Sequence, residues 1–266
     1  FPIDVKFLIN KFLSVWRPRA IFFVDSEIWP NLILEARKKN IPLILINARI
    51  TSKTFKRWML IPGVAKKIFN CFSLCLSSNK ESVEYLRKLN ANSISFSGNL
   101  KLIGKIDKNT LSSSNIKILK NIKFWLAVST HEGEENFCLK THLLLKKKYK
   151  DIKTIIAPRH IDRVYRVKKL CETYKFSSQV LNFDEKISEN SEIIIINSYG
   201  VLSGFYENSK SVFIGKSIMK NLESVGGQNP VDAAKFGCKI YHGPYVYNFR
   251  EIYDILKKNN ISKTVK

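Results

Sequence analysis

Five short clusters in this chain combine residue types able to grip an anion or move a proton. Ser129-Thr130-His131-Glu132-Gly133-Glu134-Glu135 places hydroxyls, an imidazole and carboxylates side by side. Pro158-Arg159-His160, with Arg163 shortly after, offers planar guanidinium groups that can meet a phosphate or carboxylate at two points. Ser26-Glu27-Ile28-Trp29-Pro30 supplies an acid, and Asn47-Ala48-Arg49 a cation. The fifth, within residues 213–249, sets Gly226-Gly227 ahead of Asn229-Pro230 and Asp232. Glycines before a helix start let backbone N–H groups and the helix's positive end approach a phosphate, and proline suits a first helical position. Each cluster also has a purely local reading: a glycine turn, a capping box, a helix-start carboxylate or a surface ion pair.

What gives the clusters weight is where the surrounding pattern puts them. Apolar runs at 20–25, 42–47, 71–76 and 94–96 alternate with helical patterns, the first helix of that series opening near Pro30, and imply βαβ units with strands covered on both faces. The polar stretch 104–123, with its run Ser112 to Ser114, predicts a linker. Alternation then resumes, with strands at 124–128, 153–157, 192–196, 211–214 and 239–241 and helices at 134–149 and 162–174. In the helix 134–149, Phe137, Cys138, Thr141, Leu144 and Leu145 fall on one stripe, expected to be core. Two Rossmann-like halves follow: 1–103, and 124–266 beyond the linker. In open parallel sheets ligands bind beyond the carboxyl ends of the strands, and the first four clusters each follow a predicted strand there.

The formal net charge is +23, from 45 Lys+Arg against 22 Asp+Glu. Such an excess fits a phosphorylated substrate, anionic lipid or nucleic acid, and equally a lysine-rich composition spread over solvated faces. No nucleic-acid motif accompanies it, so a basic nucleic-acid-binding module is the weakest of these readings. No apolar run is long enough to span a bilayer. The five cysteines lack C-x-x-C spacing and read as buried, reduced thiols of a cytosolic setting. No Asp-x-Asp occurs and the four histidines are scattered, so the sequence suggests no metal site.

Together the clusters resemble the 3-deoxy-D-manno-octulosonic acid (Kdo) transferases of lipopolysaccharide synthesis. The matching pieces, in order, are Asp25-Ser26-Glu27-Ile28-Trp29-Pro30-Asn31, Asn47-Ala48-Arg49, Gly98-Asn99-Leu100-Lys101, Ser129 to Glu135, Pro158-Arg159-His160, Gly226-Gly227-Gln228-Asn229-Pro230, Gly243-Pro244 and Asn248-Phe249. The resemblance implies an inverting glycosyltransferase of the two-Rossmann (GT-B) fold, its first domain incomplete here. It implies transfer of Kdo from CMP-Kdo to the lipid A precursor at the cytoplasmic face of the inner membrane, without metal or cofactor. Lys101, Ser129, Thr130, His131, Glu132, Arg159, His160, Gly226, Gly227, Asn229 and Asp232 are then expected at the donor, and Glu27 and Arg49 near the transfer point. The family's catalytic glutamate is expected upstream of Phe1, leaving Glu27 as the substitute and residues 1–266 inactive alone. The chain carries Gln228 and Asp232 where the family has His and Glu, and Asn197 and Val201 in a turn where the family has acids. Another nucleotide-sugar transferase or epimerase of the same fold is the alternative.

Overall fold

The computed structural model describes residues 2–104, 111–223 and 225–265, with the backbone alone at Lys101. The chain divides into two units, Phe1–Gly104 and Lys105–Lys266. The first holds α1 (Lys6–Trp16), β1 (Ile21–Val24), α2 (Pro30–Lys38), β2 (Leu43–Ala48), α3 (Ser52–Trp58), α4 (Pro62–Phe69), β3 (Leu74–Ser77), α5 (Lys80–Lys88) and β4 (Ile94–Phe96). Its four strands lie parallel in the order β1-β2-β3-β4. The strand expected at 71–76 begins only at Leu74, because Cys71 and Phe72 still belong to the turn closing α4 and pack inward.

The expectation that β1 is covered on both faces does not hold. One face of this sheet carries the core, where Phe23, Leu43, Leu45 and Cys75 meet Leu32, Ile33 and Ala36 of α2. On the other face of β1, Phe22 is 60% and Val24 50% exposed. β1 ends the sheet, so its side chains have a neighbouring strand on one side alone among the described residues.

The second unit comprises α6 (Ser113–Asn121), β5 (Phe124–Thr130), α7 (Glu134–Lys148), β6 (Lys153–Pro158), α8 (Val164–Thr173), β7 (Ser178–Leu181), β8 (Ile193–Ile196), α9 (Leu202–Asn208), β9 (Ser211–Ile214), α10 (Val231–Lys235), β10 (Lys239–His242), α11 (Arg250–Lys258) and β11 (Ser262–Thr264). Its seven strands are all parallel, in the order β11-β10-β9-β5-β6-β8-β7. Apolar clusters cover both faces, which is why β8 can be four consecutive buried isoleucines. The strand order reverses between β5 and β9, opening a crevice at their carboxyl ends.

Two sequence expectations need correcting in this unit. The stretch 104–123 is not all linker: Ser112 Oγ accepts from Asn115 N (3.3 Å) at the start of α6, and Ile118 and Leu119 enter the core. A Ser-rich run is also what a helix N-cap looks like. Of the stripe expected on α7, Cys138 is core and Phe137 and Leu145 pack against it, but the buried residues are Glu134, Glu135, Cys138, Leu139 and His142, and Leu144 is 64% exposed. The stripe is turned because α7 buries polar groups that hydropathy alone places outside.

All five cysteines are free and buried. Burial pushes the thiols of Cys75 and Cys171 up to about 12 and that of Cys238 to about 11. Among the described residues no helix is long and apolar enough to cross a membrane, and no group of three His, Cys, Asp or Glu is placed to hold a metal ion.

Candidate anion-binding site at the carboxyl ends of the strands

The crevice between β5 and β9 is built on two buried carboxylates. Glu134, fully buried, accepts four backbone N–H groups: Lys216 N (2.6 Å) and His131 N (2.9 Å) at Oε2, Ser217 N (2.7 Å) and Ile218 N (3.1 Å) at Oε1. A carboxylate can bear such burial because charge-assisted hydrogen bonds replace its water. It ties the loop after β5 to the loop after β9. Glu135, one residue on, takes both arms of Arg163 (2.8 and 3.1 Å) and the hydroxyl of Thr130 (3.0 Å). Burial pushes the Glu135 carboxyl up, and Arg163 and Thr130 oppose that.

These bonds reassign several residues. Thr130 is buried and spent on Glu135, so it is scaffold rather than a ligand-facing hydroxyl. Arg163 is likewise occupied, and the anion site expected from two arginines after β6 retains one, Arg159. The Ser/Thr-to-Glu spacing that predicted a capping box is half realised: Glu134 reaches back to His131 N, but the residue before α7 is Gly133 at φ 90°, which has no capping side chain.

What stands at the strand ends is cationic. Arg159 and His160 are exposed after β6, the Arg159 N–H bonded to Thr130 O (3.1 Å). The His160 ring lies 6.1 Å from that of His131, whose Nδ1 is 3.0 Å from Ser129 O. Burial holds His131 below the ordinary imidazole range, Lys216 and His160 push the same way, and the Ser129 carbonyl and Glu134 oppose them. Ser129 sits at φ 55°, turning its carbonyl toward that ring. Glu132 is exposed at the turn before α7. Among the described residues the side chains of Arg159 and Lys216 have no hydrogen-bond or ion-pair partner, and the buried carboxylates at these strand ends are Glu134 and Glu135. Both carboxylates are already taken.

The glycine pair does not work as an N–H cradle. Gly226 N donates to Leu222 O and Gly227 N to Lys216 O, each at 2.6 Å, so neither N–H is left for a phosphate. Their role is close approach: a β-carbon on Gly226 would lie 2.3 Å from Tyr245 O, and one on Gly243 2.0 Å from Ser217 O. Side chains at either position would separate the loops around 216, 226 and 245. Asn229 Oδ1 accepts from Val231 N (3.1 Å) and so shapes the start of α10, with Pro230 just outside the helix rather than within it. Asp232 is exposed in the first turn.

A separate cavity of about 300 Å³ opens at the ends of β7 and β8, with Asn115, Asn182, Asp184, Glu185 and Tyr199 among its lining. Among the described residues no lysine, arginine or histidine lines it.

In the first unit, Asp25 and Asn47 both adopt left-handed backbone, at φ 59° and 54°. Asn47 donates to Asp25 Oδ1 and accepts Leu100 N (3.1 Å), fixing the loop that precedes Lys101. The Lys101 side chain itself lies outside the described residues. Ser26 Oγ donates to Arg49 O, and Arg49 N to Asp25 O (3.4 Å), so Glu27 and half-buried Arg49 leave the ends of β1 and β2 side by side. Glu27 is exposed and accepts from Trp29 Nε1 (3.1 Å). Sequence reasoning missed Lys216, and it placed Asn47 and Glu134 in the Asn47-Ala48-Arg49 and Ser129–Glu135 clusters without seeing that they hold the neighbouring loops. Asparagine directly after a strand is a residue type that tolerates left-handed backbone, and that is the signal for Asn47; nothing in the spacing pointed to Lys216.

The family model for 3-deoxy-D-manno-octulosonic-acid transferase (kdotransferase) matches residues 1–103. The Kdo transferase of Haemophilus influenzae is 30% identical over 96% of this chain and 60% of its own length. The probable mitochondrial Kdo transferase of Arabidopsis thaliana is 31% identical over 97% and 60%. Residues 1–103 thus match the Kdo transferase family model, and nearly the whole chain is similar to proteins named as Kdo transferases. The chain spans about 60% of the length of those two proteins. Among solved structures, UDP-GlcNAc 2-epimerase from Neisseria meningitidis superposes with TM-score 0.61 at 14% identity, covering 98% of this chain and 67% of that one. The C-terminal CMP-Kdo binding domain of WaaA from Acinetobacter baumannii gives 0.50 at 22% identity, over 56% and 76%. At these identities the likeness is one of fold, the α/β two-Rossmann architecture of GT-B enzymes that the Kdo transferase motifs imply.

Proposed function

We propose that the chain is part of an enzyme that transfers Kdo from CMP-Kdo to the lipid A precursor (lipid IVA) with inversion, and that its second unit binds the donor. The observation that supports this most is the crevice at the ends of β5, β6 and β9. Arg159, Lys216, His131 and His160 gather there while Glu134 and Glu135 are fully engaged in bonds of their own. Such a site attracts a phosphate monoester and stabilises the charge that grows on CMP as it departs, without reorganising. Attack by a sugar hydroxyl of the acceptor needs a carboxylate within hydrogen-bonding reach to take its proton. Glu27 is the candidate carboxylate at the strand ends of the first unit. The positive charge suits a phosphorylated acceptor held at an anionic membrane surface, which we place at the cytoplasmic face of the inner membrane.

The decisive experiment is thermal unfolding with nucleotides. CMP at about a hundredfold above its dissociation constant should stabilise the chain by about 2.7 kcal/mol. Melting unchanged by millimolar CMP would remove the donor reading, and stabilisation by UMP equal to that by CMP would favour another nucleotide-sugar enzyme of this fold.

A further inference from the structure

We propose that Lys216 is a phosphate-binding residue of the second unit, held in place by the buried carboxylate of Glu134. The inference rests on the donor reading above for the identity of the ligand, but not for the anion itself.

Both peptide groups flanking the Lys216 α-carbon are fixed. Its N–H donates to Glu134 Oε2 (2.6 Å), and its carbonyl accepts from Gly227 N (2.6 Å). The next two N–H groups, of Ser217 and Ile218, are held by Glu134 Oε1. The side chain therefore leaves a backbone that cannot drift. That backbone is left-handed at Lys216, φ 57°, a region where a β-carbon is strained and glycine is at ease. Gly215 alongside is required for another reason, since its β-carbon would lie 2.5 Å from Ser129 O. Close packing of these loops demands small residues, yet position 216 carries a long cation.

The ammonium is not consumed within the protein. Lys216 is half-buried, has no ion-pair or side-chain hydrogen-bond partner among the described residues, and lies near enough to His131 to oppose its protonation. Glu134, the carboxylate closest in the bonding network, is saturated by backbone N–H groups. A cation fixed at the strand-order reversal, close to the His131 imidazole and lacking an ion-pair partner among the described residues, is completed by an external anion.

Lys216→Gly tests this, because it removes the ammonium and the left-handed strain together. Binding of CMP and of inorganic phosphate to the full 266-residue chain is measured by calorimetry, and unfolding by denaturant. The expected result is a midpoint equal to or above that of the parent, with CMP and phosphate each bound about tenfold more weakly, and Lys216→Arg recovering most of the loss. A merely structural lysine would give the higher midpoint with both affinities within twofold of the parent, and that result overturns the proposal. Should the parent bind phosphate in a Lys216-dependent way but not CMP, the lysine assignment stands and the donor reading falls. A parent that binds neither overturns both.

Discussion

Arg159 and Arg163 stand four residues apart and do opposite things. Arg163 closes a two-point ion pair on Glu135, the partners 15% and 2% exposed, whereas Arg159 is exposed and unpaired among the described residues. Arg163→Ala should therefore destabilise the fold by about 3–5 kcal/mol at neutral pH, because it strands a buried carboxylate. The sign of its pH dependence follows from the raised Glu135 carboxyl. A carboxyl whose folded value lies above its unfolded one contributes stability below the unfolded value and loses it as pH rises through the folded value. Without Arg163 the folded value climbs further, so the damage is largest at neutral pH and shrinks below the ordinary carboxylate range; denaturant melts at pH 7.5 and pH 4 check this. Arg159→Ala should leave those melts unchanged and weaken CMP binding about tenfold or more, read by calorimetry. Both arginines were visible in the sequence as an anion site. Their division of labour was not, because it depends on Glu135 facing β6 from the buried side of α7.

At the scale of elements, βα alternation placed most strands within a residue or two, and the strand ends collected the polar clusters as open parallel sheets require. It placed no strand at β7 or β11, and three further things escaped it. Helix α6 hid in a polar run because its few apolar residues, Ile118 and Leu119, are enough to dock it. The edge position of β1 depends on strand order, which a run of apolar residues does not specify. The glycine block was recognised as a site component, but for N–H groups that the structure spends internally. Its contribution is contact distance. Gly226→Ala should then cost about 1–3 kcal/mol or more, since the new methyl meets backbone rather than a side chain able to swing away, and it should weaken CMP binding as well. Gly237→Ala is the control: φ is 77° there, but nothing lies within 4 Å of the added carbon, so the cost is that of left-handed backbone alone, about 1–2 kcal/mol, with CMP binding intact.

At the scale of the whole molecule, charge and division into two units set the behaviour. With a formal net charge of +23, the chain should bind vesicles containing anionic lipid and be released by salt; equal binding to neutral vesicles at low salt would instead mark the charge as compositional. The two units carry separate cores, so each has its own free energy of opening. The buried thiols turn that into a measurement. Cys71 and Cys75 belong to one unit, and Cys138, Cys171 and Cys238 to the other, none in a disulfide. A thiol-alkylating reagent reaches such groups only when the surrounding structure opens. Under native conditions, intact mass should therefore advance by two labels or by three according to which unit opens first. CMP should slow the set of three and leave the pair at 71 and 75 untouched, so the cysteines serve as a clock that reads the stability of each half of the molecule separately in a single experiment.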